Sequence, residues 1–174
     1  MINEICVGDI MSPSNESDVI IGMNSNLADV TGIGRPFIAN VSALFPILKG
    51  GILSFSLDEK RNLHMLICHD FWEGGWKNAH LHVRYSLDYL WHEMQTQTEP
   101  RSFSIVDIGT GRVGRRDGAN TAPIRHAMAD SYLPLSLFVL PPNSEVFVRD
   151  ESKLSPLSPY RAWHPIYGEK RITA

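Results

Sequence analysis

Two glycine-rich segments, each placed just after an apolar run, constrain this chain more than any other feature. The later one is Ile108-Gly109-Thr110-Gly111-Arg112-Val113-Gly114-Arg115, following Phe103-Ser104-Ile105-Val106. The earlier one is Asp29-Val30-Thr31-Gly32-Ile33-Gly34, shortly after Val19-Ile20-Ile21. Both read as strand, glycine loop, helix. Glycine lets the backbone turn its N–H groups toward an anion, and a following helix N-terminus adds positive potential. Two such loops facing one cleft suit a diphosphate better than a single phosphate.

The remaining patterns alternate between strand and helix. Ile2 to Val7 reads as a short strand, closed by Gly8-Asp9, and Pro13 to Glu16 as a turn. The unbroken apolar run from Asp18 to Met23 is that of a central strand buried on both faces. Phe37, Ile38, Val41, Leu44 and Phe45 recur at helical spacing from Arg35 to Phe45, and Pro46 and Gly50-Gly51 end that helix. Gly51 to Leu57 and Leu63 to Cys68 form a hairpin around Asp58-Glu59-Lys60-Arg61. Val83, Leu87, Leu90, Trp91 and Met94 mark one face of a long helix that starts near Asn78. Arg101 to Ile108 is a strand. Thr121 is placed to cap a helix through about Asp130, with Pro123 tolerated in its first turn. Leu135 to Leu140 is a further strand, closed by Pro141-Pro142. The sum is an α/β domain of three layers, α/β/α, around a mixed central sheet. We expect residues 1–149 to form the domain and residues 150–174 a C-terminal tail packed on it.

Composition removes several function classes. Of the 174 residues 43% are hydrophobic and 20% charged, enough for one real core. A net charge of −3 gives no electrostatic case for nucleic acid or an anionic membrane, so any anion site must be local. Cys6 and Cys68 lie in apolar strand-like runs and read as buried thiols of a reducing compartment rather than a disulfide. With no signal peptide and no membrane-spanning stretch in the sequence, a cytoplasmic protein is expected. His64, Cys68, His69, His80 and His82 cluster in sequence, but strand neighbours point to opposite faces and His80 and His82 diverge on a helix, so no metal site is assigned. There is no Gly-x-Ser-x-Gly elbow, and no Gly-Lys-Ser/Thr follows either loop. Gly109 to Gly114 matches Gly-x-Gly-x-x-Gly literally. It comes late, however, and the acidic residue about twenty positions on, Asp130, falls near a helix end rather than after a second strand.

Ligands of open α/β sheets bind at the carboxyl ends of the strands. Gly8-Asp9-Ile10, the segment from Met23 to Gly34, His69-Asp70 and the Ile108 loop all fall at such ends. Taken in order, these segments resemble the macro domain, a fold that binds ADP-ribose and related nucleotides. Val7-Gly8-Asp9-Ile10 is similar to that family's first-strand ending. Ser17 to Ile21 is similar to its next strand, and Thr31-Gly32-Ile33-Gly34, before a helix ending Leu44-Phe45-Pro46, to its first glycine loop. Ile67-Cys68-His69-Asp70 through Gly74-Gly75-Trp76 resembles its middle segment. Ser104 to Gly114 resembles its Ser-Thr-Gly loop, with Gly109 in place of the serine. The resemblance spans roughly residues 2 to 142.

The resemblance implies a role for each matching position. Asp9 would accept a hydrogen bond from the adenine amino group, with Ile10 beside the ring. Thr31, Gly32, Ile33 and Gly34 would wrap the diphosphate and distal ribose. Gly109, Thr110, Gly111, Arg112, Val113 and Gly114 would hold the phosphates through backbone N–H groups, and Asn24 would sit near the distal ribose. The chain departs from the family where Asn-Ala-Ala-Asn is replaced by Gly22-Met23-Asn24-Ser25, and Arg112, Arg115 and Arg116 add charge to the phosphate loop. The expected partner is therefore an ADP-ribose-type nucleotide, free or attached to a protein, with no further cofactor. The expected function is reading or sequestering that group. The alternative is an ADP-ribosyl glycohydrolase cleaving at the distal ribose C1″, in which Asp29 positions water. Glycine turns, an Asp after Gly and a run of arginines also serve as plain turns, caps and solvated charge.

Overall fold

The computed structural model describes residues 5–24, 32–39, 51–68, 75–96, 101–109, 111, 114, 116, 118–140 and 170–172. Among them, seven strands form one sheet in the order β3-β4-β2-β5-β6-β1-β7. The strands are β1 (Ile5–Gly8), β2 (Asp18–Asn24), β3 (Gly51–Ser56), β4 (Asn62–Cys68), β5 (Phe103–Val106), β6 (Leu135–Leu140) and β7 (Lys170–Ile172). All neighbouring pairs run parallel except β3 against β4, so the sheet is mixed, as expected.

Both faces of the sheet are buried around β2, which explains its continuous apolar run. Val19, Ile21 and Met23 pack with Ile10, Leu63 and Met65 on one face. Ile20 packs with Leu66, Phe103 and Ile105 on the other. The second face is covered by two helices, α1 (Ala79–Gln95) and α2 (Ala122–Ala129), through Val83, Leu87, Ile124 and Met128, all at 0% exposure. The first face carries the short 3-10 helix Gly32–Phe37, whose Phe37 ring lies 5.8 Å from that of Phe55. This is the three-layer arrangement.

Three sequence expectations need correction. The helix expected from Arg35 begins as a 3-10 turn at Gly32, because Pro36 has no N–H to give an α ladder; residues 40–45 lie outside the described set. The strand expected from Arg101 to Ile108 is only Phe103–Val106. Thr121 does not cap α2 with its side chain. Its backbone is already helical, which turns the hydroxyl away from the free N–H groups, and the Asn120 side chain accepts from the Ala122 N–H instead, at 3.2 Å. The long helix, the β3–β4 hairpin and Pro123 in the first turn of α2 fall where expected.

Two ion-pair networks fasten the sheet away from its carboxyl edge. Asp18, 3% exposed, receives both Arg101 Nη2 at 2.6 Å and Nε at 2.7 Å, the Asn62 N–H at 2.8 Å, and pairs with His64 Nε2 at 3.3 Å. Burial alone would raise the Asp18 pKa. The His64, Arg101 and Asn62 hydrogen bonds overcome it and hold this carboxyl well below the usual range. Arg61, 7% exposed, binds Asp58 Oδ2 at 2.7 Å and reaches the carbonyls of Ser12 and Asn15 at 3.0 and 2.9 Å. It thereby ties the hairpin turn to residues 9–17, which cross the sheet between parallel strands without a helix. Cys6 on β1 and Cys68 on β4 are four strand spacings apart, on the order of 19 Å, too far for a disulfide.

Candidate functional site

The parallel register lines up the expected site residues. Ile5, Phe138, Ile105, Ile20 and His64 form one row across β1, β6, β5, β2 and β4. Beyond that row, Asn24 and Cys68 still pair at the carboxyl edge, while Asp9 and Gly109 follow the ends of β1 and β5 in turns on the same edge. Strands β2 and β5 are direct neighbours, so the chain leaving each one toward its glycine segment starts side by side. From β1 to β2 is three strand spacings, about 14 Å, the reach of an elongated ligand rather than a single phosphate.

Asp9 is exposed at the end of β1. Its Oδ1 accepts the Met11 N–H at 2.9 Å, and its carbonyl accepts from Ser12 at 3.0 Å. Asp9 thus makes the local turn that a plain cap would make, and a carboxylate retains a second oxygen for another donor. Ile10 is 1% exposed and packs into the core beneath that turn.

After β5 the chain brings Gly114, which is helical, back against Gly109. Gly109 has φ +92, a left-handed backbone that side chains rarely adopt. A Cβ there would meet Thr121 Cγ2 at 3.1 Å, Trp76 Cζ3 at 3.2 Å and Ile124 Cδ1 at 3.4 Å. A Cβ on Gly114 would lie 1.9 Å from the Gly109 carbonyl oxygen. The turn is held behind by the Ala119 N–H on the Gly114 carbonyl at 2.8 Å. Gly111 between them is exposed, and among the described residues a Cβ on it would meet nothing within 4 Å. Steric demand therefore fixes the two outer glycines, while no described residue crowds the middle one. Ile108 leans over β2 so closely that a Cβ on Gly22 would come 3.1 Å from its Cγ2.

Ile33 is 37% exposed and Gly34 is buried, and both, with Gly32, lie in the 3-10 helix rather than in an open loop. Asn24 closes β2, where it pairs in register with Cys68. Asp29, Thr31, Thr110, Arg112, Val113 and Arg115 lie outside the described residues, as do His69, Asp70 and residues 141–169. Arg116 is exposed.

Two residues stand behind the turn, of which sequence reasoning missed Asp107 and named Trp76 without this contact. Asp107 is buried immediately after β5 and takes a two-pronged contact from Arg125 on α2: Nε to Oδ1 at 2.8 Å, and Nη2 to Oδ2. Trp76, whose ring backs Gly109, comes from the 3-10 helix Gly75–Asn78 ahead of α1. The acid next to the glycine segment was the one local signal for the first; eighteen positions separate it from its partner.

No family model matches the sequence, and no curated protein is detectably similar to it. Solved structures are similar. The fold resembles the macrodomain of Mycobacterium tuberculosis DarG, with a TM-score of 0.51 over 82% of this chain and 98% of that one, at 14% identity. The macrodomain of Thermus aquaticus DarG gives a TM-score of 0.47 over 80% and 97%, at 13% identity. The chain has a divergent macrodomain fold.

Proposed function

We propose that this protein binds ADP-ribose or an ADP-ribose-derived nucleotide along the carboxyl edge of its sheet, as a reader or sequestering module. The observation that supports this reading is that Asp9 directly follows β1 and Asn24 ends β2, three strand positions away on the same edge, while the chain after β5, between them, brings Gly114 back against Gly109 and leaves Gly111 exposed. On this reading the adenine amino group donates to Asp9 above the buried Ile10. Backbone N–H groups of the Gly109–Gly114 turn, with Thr110, Arg112 and Val113, take the phosphates. Thr31, Gly32, Ile33 and Gly34 close on the diphosphate and distal ribose, next to Asn24. The ligand is free or protein-attached, and the protein is cytoplasmic.

Hydrolysis is the second reading, supported by Asn24 at the end of β2, the strand on which Ile108 rests. There Asp29 would orient or deprotonate the water that attacks C1″, and Asn24 would hold the distal ribose. Titration with ADP-ribose, with AMP and NAD as controls and the recovered ligand checked for cleavage, tests both. Binding of ADP-ribose over AMP with intact ligand supports the reader. Binding of neither removes the nucleotide site.

A further inference from the structure

The glycine turn is gripped at its start from three sides. Ile108 rests on Gly22 of β2. Gly109 is walled by Thr121, Ile124 and Trp76. Asp107, one residue before Ile108, is 5% exposed and held by the Arg125 fork. The first two grips are apolar and would serve any tight αβ connection. The third is different in kind. Helix α2 is already docked by Ile124, Ala127 and Met128, at 0, 7 and 0% exposure, so an ion pair is not needed to attach it. A buried ion pair is often no more stabilising than apolar residues of the same volume. What a bidentate guanidinium–carboxylate pair adds is orientation, because two parallel N–H···O bonds fix both planes. Asp107 lies two residues before the left-handed Gly109, where a rotation of the chain would swing the N–H groups of the turn.

Resting on the nucleotide reading above, we propose that Arg125 is a positioning residue for the phosphate site. Its fork on Asp107 sets the direction in which the Gly109–Gly114 turn presents its N–H groups, without Arg125 touching the ligand. Arg101 on Asp18 supplies a natural control, since it is also an arginine fork on a buried carboxylate but lies at the opposite edge of the sheet.

The test compares the wild-type protein with Arg125→Met, Arg125→Lys and Arg101→Met. Hydrogen exchange is followed in the free protein, and ADP-ribose binding by titration. In Arg125→Met, peptides covering 107–118 should exchange on the order of tenfold faster while β2 and β4 stay protected, and ADP-ribose should bind on the order of tenfold more weakly. Arg125→Lys keeps the charge but loses the fork, and should fall between. Arg101→Met should lower the melting temperature and move neither turn exchange nor affinity. Wild-type turn exchange in Arg125→Met overturns the proposal, as does equal acceleration in Arg101→Met. If Arg125→Met fails to fold, Arg125→Lys carries the comparison: a wild-type turn and affinity there count against the role of the fork. If the wild-type protein binds no nucleotide, the functional reading falls. The exchange comparison alone then supports or overturns the hold of Arg125 on the turn.

Discussion

Gly114 lies against the Gly109 carbonyl with no room for a methyl group: a Cβ there would stand 1.9 Å from that oxygen. Since the obstacle is backbone, Gly114→Ala must open the turn. It should cost about 1–3 kcal/mol of stability and abolish ADP-ribose binding together. A thermal melt and a titration on the same sample check this; a variant that melts and binds like the wild type contradicts the closed turn.

The pH dependence of stability should follow Asp18. Its folded pKa is held below the ordinary carboxylate value of 3.8, so the folded state favours the ionised form. The resulting stability is fully present above about pH 4 and is lost progressively as pH falls below it. Asp18→Asn leaves Arg101 and His64 without their anion, and should cost about 3 kcal/mol at pH 7. It should also flatten the acid limb of a plot of melting temperature against pH. An unchanged acid limb in Asp18→Asn would assign acid sensitivity to other groups.

Asp9 separates the two ends of the ligand. Removing a hydrogen bond to a charged group costs about 1.5–3 kcal/mol, so Asp9→Ala should weaken ADP-ribose and AMP by a similar factor, roughly tenfold or more. Ribose 5-phosphate, which has no adenine, should bind wild type and Asp9→Ala equally. Equal affinity of wild type and Asp9→Ala for AMP would confine Asp9 to its turn bond with Met11.

Turnover distinguishes reader from hydrolase. The reader account expects ADP-ribosylated protein to be recovered uncleaved after incubation with the wild-type chain. If cleavage is instead seen, and Asp29→Ala stops it while binding persists, the protein is a hydrolase.

The parts of this fold that local pattern controls were legible in the sequence. The run at Asp18–Met23 reads as a central strand because successive residues meet opposite buried layers, and the α1 face reads from Val83, Leu87 and Leu90 at helical spacing. What local pattern does not encode was not legible. Thr121 looks like a cap, yet its methyl group is directed at Gly109, a contact set by tertiary packing. Arg61 sits in a charged hairpin tip and looks solvated, but it is buried because the carbonyls of Ser12 and Asn15 come to it across the sheet. Arg125 and Asp107 are paired by the docking of α2 on β5, and nothing near either in sequence points to the other. The glycines of the later segment were recognised, but not their division of labour. Only the structure shows that Gly109 and Gly114 are sterically required, while no described residue crowds Gly111.

That freedom supplies the most direct test of the central claim. Gly111 is exposed, and among the described residues none lies within 4 Å of a Cβ placed on it, so Gly111→Leu should fold and melt like the wild type while its side chain fills the space assigned to phosphate. Isothermal titration of both proteins with ADP-ribose should show binding by the wild type and none by Gly111→Leu. Undiminished binding by a folded Gly111→Leu would contradict the glycine turn as the phosphate site.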